Sequence, residues 1–145
     1  RATGEAALSV VHPIQGKKLL IFDLDGTLRY CTTHGGPCHN GPGEWVLYPD
    51  VPAVLAQYDW ETIAFGIATN QAGIDLGHIH DFTVWDEAHK TVQDAMPQAQ
   101  SFWDIYMEIC PHVPEAACPC RKPAPGMLQR LMQWAEAPPS HALFV

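Results

Sequence analysis

Asp23 and Asp25 lie two residues apart in the stretch DLDGT, directly after the apolar run KKLLIF. At the end of a buried strand, one such carboxylate can point at a ligand while the other lies beside it. Paired carboxylates suit Mg²⁺, a hard cation that takes oxygen ligands. They also suit covalent phosphoryl transfer, with one carboxylate as nucleophile and its neighbour as acid and base. An isolated D-x-D-G would read as a solvated turn, but two further stretches accompany it. ATNQAG closes a second apolar run and offers the Thr69 hydroxyl and the Asn70 and Gln71 amides to a phosphate. CRKPAPG sets Lys122 just before a helix, where its cation would offset phosphate charge.

A second chemistry gathers in ICPHVPEAACPCRKPAPGM, residues 109 to 127. Cys110, His112, Cys118 and Cys120 follow C-x-H-x5-C-x-C. One histidine and three thiolates make a closed tetrahedral set of the kind that holds structural Zn²⁺. The spacing is tighter than the usual C-x2-C finger. A disulfide reading must leave a cysteine over, and C-x-C neighbours are poor disulfide partners; unrelated loop cysteines are the other alternative. Cys31, His34, Cys38 and His39 crowd into CTTHGGPCH and read as loop neighbours rather than a second metal site.

The chain has 145 residues, enough for one domain with a real core. Its formal net charge of −8 argues against a broad nucleic-acid footprint, so no nucleic-acid partner is expected. The longest apolar runs are too short to span a bilayer, and the start RATGEAALSVV lacks the features of a signal peptide. A cytoplasmic monomer is therefore expected, with a reducing environment that disfavours disulfides. Five cysteines cannot all pair within one chain. Arg1 at the start suggests an upstream segment.

The elements that must position these residues can be read from periodicity. Residues 1 to 16 form a lead-in, and 17 to 145 the domain. KKLLIF is a buried strand, and Gly26 permits a sharp turn after it. Residues 29 to 49 are Gly- and Pro-rich and form a long excursion over the site, a lid in which Trp45 and Tyr48 anchor the loop. DVPAVLAQYD is a short helix with Pro52 in its first turn. TIAFGIATN is a second strand. DFTVWDEAHKTVQDAM is a helix with Val84, Trp85, Ala88 and Val92 on one face. SFWDIYMEI is a third strand, APGMLQRLMQWAEA an amphipathic helix with Leu128, Leu131, Met132 and Ala135 inward, and HALFV a fourth strand. Alternating strands and helices predict a Rossmann-like parallel sheet with helices on both faces. Ligands in such folds bind beyond the carboxyl ends of the strands, where DLDGT and ATN stand.

DLDGT, ATNQAG and CRKPAPG, in that order and spacing, resemble motifs I, II and III of the haloacid dehalogenase (HAD) superfamily of aspartyl-phosphate phosphatases. The resemblance covers residues 17 to 145. It implies Asp23 as nucleophile, Asp25 as acid and base, Thr69 and Lys122 as holders of the phosphoryl group, and Mg²⁺ on Asp23 and the Asp25 carbonyl. CPH…CPCRKPAPGML is similar to the zinc loop of D-glycero-D-manno-heptose-1,7-bisphosphate and histidinol-phosphate phosphatases. That implies a structural Zn²⁺ whose loop delivers Arg121 to the distal group of a small phosphorylated substrate and Lys122 to the reacting phosphate.

Two departures stand out. The family usually follows TNQSG with a basic ARG segment, whereas this chain reads TNQAGIDLGHIH, with Asp75 and Leu76 in that place and His78 and His80 read as exposed loop residues. The family's fourth motif, a GD…D carboxylate cluster, follows the strand that HALFV represents. The sequence stops at Val145, so the fold is expected to lack its last strand and helix here, with the natural protein continuing. The rival expectations are a polynucleotide 3′-phosphatase, whose HAD domain also carries TNQ, and a catalytically impaired, zinc-stabilised binding module.

Overall fold

The computed structural model describes residues 18–33, 38–97 and 105–145. The lead-in, His34 and the first residues of the expected third strand lie outside them. The elements run β1 (Lys18–Phe22), β2 (Arg29–Cys31), β3 (Trp45–Leu47), α1 (Val51–Leu55), β4 (Ile63–Asn70), α2 (Asp81–Ala95), β5 (Ile105–Cys110), α3 (Gly126–Ala135) and β6 (Ala142–Phe144). Four strands make one parallel sheet in the order β5-β4-β1-β6. Among the described residues no helix is long and apolar enough to cross a membrane.

Side chains alternate across β1, and each face buries a different helix. Leu19 and Ile21 join Ala64, Ala68, Met127, Leu131 and Ala135, so α3 covers one face. Phe22, with Leu24, Phe65 and Ile67, packs on the other against Ala88 and Val92 of α2 and Leu55 of α1. Within α2, Val84, Ala88 and Val92 are fully buried as their spacing predicts, but Trp85 sits at the edge of that stripe and is 38% exposed. In α3, Met127, which precedes the expected face, is as fully buried as Leu131 and Ala135, whereas Leu128 and Met132 are only half-buried.

The excursion after β1 is more ordered than its composition predicts. β2 and β3 pair antiparallel, Arg29 with Leu47 and Cys31 with Trp45. The Trp45 indole N–H donates to Glu87 of α2 at 2.8 Å, and Tyr48 packs on Tyr30 with ring centroids 4.9 Å apart. Trp45 thus ties the hairpin to α2, and Tyr48 also packs against the core under that face.

Contrary to the expectation of reduced cysteines, the end of β2 is joined to the loop that follows it by a disulfide between Cys31 and Cys38, with Cα atoms 6.0 Å apart. The hairpin sets the two residues side by side, which their separation in the sequence does not reveal. His39 stacks on His78 instead, with ring centroids 4.4 Å apart.

Candidate active site

The parallel register of β1 and β4 sets Phe22 beside Ile67, so the chain beyond Phe22 runs level with Ala68 and Thr69. Gly26, at φ +85°, turns the chain immediately afterwards, a conformation that costs glycine little. A cavity of about 600 Å³ opens at this edge, lined by Asp23, Asp25, Thr69, Asn70 and Lys122, with Leu128 and Phe144 among its apolar walls. Its size suits a small molecule.

Asp23 Oδ1 accepts from Lys122 Nζ at 2.8 Å and from the backbone N–H of Leu24 at 2.8 Å. The same ammonium donates to the Ala68 carbonyl at 2.8 Å and lies 5.1 Å from the centre of the Phe144 ring. Lys122 is steadied by its own backbone. Its N–H donates to Asn70 Oδ1 at 3.0 Å, and Asn70 Nδ2 donates to its carbonyl at 3.2 Å. Both amide heteroatoms of Asn70 thus brace Lys122, with one of its two amide hydrogens spent on that contact, and Asn70 also lines the cavity.

Asp25 is held from three directions. Its Oδ1 accepts from Arg29 Nε at 2.8 Å, and its Oδ2 accepts from Gln71 Nε2 at 2.7 Å and Asn40 Nδ2 at 2.9 Å. Gln71 also donates to the Thr69 hydroxyl at 2.9 Å. Gln71 therefore braces Asp25 and Thr69 in this arrangement. Sequence reasoning passed over Arg29 and Asn40, because a cation and an amide in a polar loop carry no signal of burial. The tight turn after DLDGT, which brings Arg29 within four residues of Asp25, is the signal that could have found the first.

The four expected metal donors converge at the ends of β5 and the following loop, all within 4.8 Å of one another. Cys120 Sγ lies 3.2 Å from Cys110 Sγ and 3.5 Å from Cys118 Sγ, and Cys110 Sγ lies 3.6 Å from Cys118 Sγ. His112 Nδ1 is 3.4 Å from Cys110 Sγ and 3.2 Å from Cys120 Sγ. A tetrahedron of thiolates around Zn²⁺ has S···S edges of about 3.8 Å, given bonds of about 2.3 Å. The donor set and its spacing fit such an ion, needing only a slight expansion.

Burial pushes the Cys110 thiol up to about 12. Burial also opposes a charge on Cys118, but hydrogen bonds from the Arg121 and Cys120 backbones and the neighbouring thiols outweigh it and draw this thiol down to about 6. The cluster thus concentrates thiolate character on its most exposed cysteine. Arg121 is bound into this loop: its backbone N–H donates to Cys118 Sγ at 3.3 Å and its guanidinium to the His112 carbonyl at 3.1 Å.

Gly126, the first residue of α3, lies against the loop, with its N–H donating to the Pro119 carbonyl at 3.0 Å. A Cβ there would stand 2.4 Å from that oxygen and 3.1 Å from the Cys120 Cα. Gly126→Ala is therefore expected to lower stability by about 1–3 kcal/mol through backbone displacement, measurable by urea denaturation.

Comparison with known proteins completes the geometry. The sequence model of the polynucleotide kinase 3 phosphatase family matches residues 18–143. The chain belongs to this family of HAD-superfamily phosphatases. Among its HAD relatives, a probable D-glycero-D-manno-heptose-1,7-bisphosphate 7-phosphatase of Thermoplasma volcanium is 33% identical over 119 residues, covering 80% of this chain and 75% of the relative. The D-glycero-beta-D-manno-heptose-1,7-bisphosphate 7-phosphatase of Bordetella bronchiseptica is 35% identical over 113 residues, covering 76% of this chain and 59% of the relative. A solved HAD structure, the D,D-heptose 1,7-bisphosphate phosphatase of B. bronchiseptica complexed with magnesium and phosphate, superposes with a TM-score of 0.63 at 29% identity, over 83% of this chain and 64% of that one. The chain thus spans about three fifths of the length of the Bordetella relative.

Proposed function

We propose that this domain hydrolyses phosphomonoesters through an aspartyl-phosphate on Asp23. The observation that carries the reading is the 2.8 Å contact of Asp23 Oδ1 with Lys122 Nζ in a cavity that Asp25 and Thr69 also line. An oxygen of Asp23 attacks phosphorus, and the bond between phosphorus and the ester oxygen breaks. Asp25 gives its proton to the departing alcohol. Water then attacks the phosphorus of the aspartyl-phosphate while Asp25 takes up its proton, releasing inorganic phosphate and restoring Asp23. Lys122 and the Thr69 hydroxyl hold the phosphoryl oxygens, and the ammonium offsets the charge gathered there.

Two metals fit the residues present. The Asp23 side chain is 33% exposed toward the cavity and, with the Asp25 carbonyl, offers the oxygen donors that Mg²⁺ takes. When bound, Mg²⁺ supplies charge neutralisation and orientation of the phosphoryl group. Cys110, His112, Cys118 and Cys120 would hold a structural Zn²⁺, which would rigidify the loop leading to Arg121 and Lys122. Arg121, which carries five N–H donors and uses one on His112, recognises the distal anionic group of the substrate.

The names of the relatives support a sugar bisphosphate, heptose-1,7-bisphosphate, as substrate, and the resemblance of the cysteine loop puts histidinol phosphate next. The description of the matching family supports a second reading, a polynucleotide 3′-phosphatase, although the net charge of −8 opposes it. Mg²⁺-dependent phosphate release decides between them, measured on heptose-1,7-bisphosphate, histidinol phosphate and a 3′-phosphorylated oligonucleotide. Fastest release from the heptose is expected. Preference for the oligonucleotide would move the substrate class, and release from none would leave a zinc-stabilised binding module.

A further inference from the structure

We propose that Arg29 is a positioning residue that fixes the Asp25 carboxylate for proton transfer to the leaving alcohol, an inference that rests on Asp25 being the acid and base. Arg29 is fully buried. Its Nε donates to Asp25 Oδ1 at 2.8 Å and its Nη1 to Thr91 Oγ1 at 3.0 Å, and its guanidinium lies 5.3 Å from the centre of the Trp45 ring. Thr91 is itself braced, donating to the Glu87 carbonyl at 2.8 Å within α2. The fork therefore joins the end of β1 to a packed helix.

Stability does not account for an arginine here. Among the described residues Nη2 has no hydrogen-bond partner. An orphaned buried donor costs about 1–3 kcal/mol, and apolar residues of similar volume often replace buried ion pairs without loss of stability. What the guanidinium provides, and an apolar side chain does not, is a fixed carboxylate.

The fixing has a chemical consequence. A guanidinium does not lose its proton in proteins, so Oδ1 is committed as an acceptor of the Arg29 bond. That bond takes one of the two acceptor positions of Oδ1, whereas Gln71 and Asn40 take both positions of Oδ2, which leaves Oδ1 to carry the transferable proton. Gln71 in turn links Oδ2 to the hydroxyl of cavity-lining Thr69. Arg29 thus holds the oxygen that keeps a free position, and with it the orientation in which the carboxyl meets the leaving alcohol.

The test compares two esters in the full 145-residue chain: heptose-1,7-bisphosphate, whose leaving group is an alcohol, and p-nitrophenyl phosphate, whose leaving group needs little protonation. The ratio kcat/KM reports only the steps up to departure of the leaving group, which isolates the acid role. Arg29→Met is expected to lower kcat/KM about 100-fold for the sugar ester and less than about threefold for the aryl ester. Arg29→Lys, which brings the charge without the fork, is expected to lose about tenfold on the sugar ester alone. The lysine variant carries the same comparison if the methionine variant does not fold. Equal losses on both esters would mean a merely structural role and overturn the proposal, as would no loss on either. A wild-type chain that releases phosphate from neither ester would instead remove the phosphatase reading, and this inference with it.

Discussion

Asp23→Asn is expected to lower kcat by about 10⁴-fold or more while leaving the fold intact, because an amide cannot form the aspartyl-phosphate. The structural cost of the change is small. The Asp23 and Lys122 side chains are 33% and 15% exposed, and partly exposed ion pairs contribute about 0–1 kcal/mol. The backbone N–H of Leu24 still finds an oxygen on asparagine. Phosphate release and thermal unfolding, measured on one preparation, separate the two effects. Wild-type turnover in the variant would remove Asp23 from the chemistry.

The second large effect belongs to the cysteine loop. Cys118 is half-buried, whereas Cys110 and Cys120 belong to the core that packs against α3. Cys118→Ser therefore removes a metal ligand with little loss of packing. Bound zinc should fall from stoichiometric to near zero, and the midpoint of unfolding should drop by roughly 10 °C, since metal-binding energy in a closed site is also folding energy. Turnover should fall too, because Lys122 follows the loop directly and depends on it for its approach to Asp23. Metal must displace thiol protons, so the wild-type protein should release its zinc on acidification. Metal analysis and calorimetry check both; a wild type without zinc, or a variant of unchanged stability, would contradict the structural-metal reading.

The parallel sheet was legible because its strands are continuous apolar runs bounded by polar turns. KLLIF and IAFGIATN are buried on both faces and cannot be read as surface segments. The amphipathic spacing in residues 81–95 and 126–135 similarly announces two helices. The sequence also singled out Asp23, Asp25, Thr69 and Lys122, which the structure brings to one cavity, and four metal-type donors, which it brings within reach of one ion.

What escaped is instructive. The three-residue strands β2 and β3 are hidden in a Gly- and Pro-rich segment, too short for any alternation to register. The loop between them carries Cys38 back to Cys31 and Asn40 to Asp25, and β2 itself carries Arg29. Gln71 spends both amide hydrogens on Asp25 and Thr69, whereas Asn70 gives one of its two to the Lys122 carbonyl. Side-chain type identifies the available chemistry; only tertiary contacts say which group takes it up. Arg29 makes the same point from the other side, since a lone arginine in a polar loop reads as solvated until the hairpin closes over it.

Acid-quenched trapping tests the central claim most directly. The full chain would be mixed with Mg²⁺ and radiolabelled heptose-1,7-bisphosphate, stopped in acid within one turnover, digested, and searched for label on the peptide that contains Asp23. Acid-stable label on that peptide is expected in the wild type, lost on treatment with hydroxylamine and absent from Asp23→Asn. Rapid phosphate release with no label on the protein at any time would mean direct attack by water, and would contradict the aspartyl-phosphate mechanism.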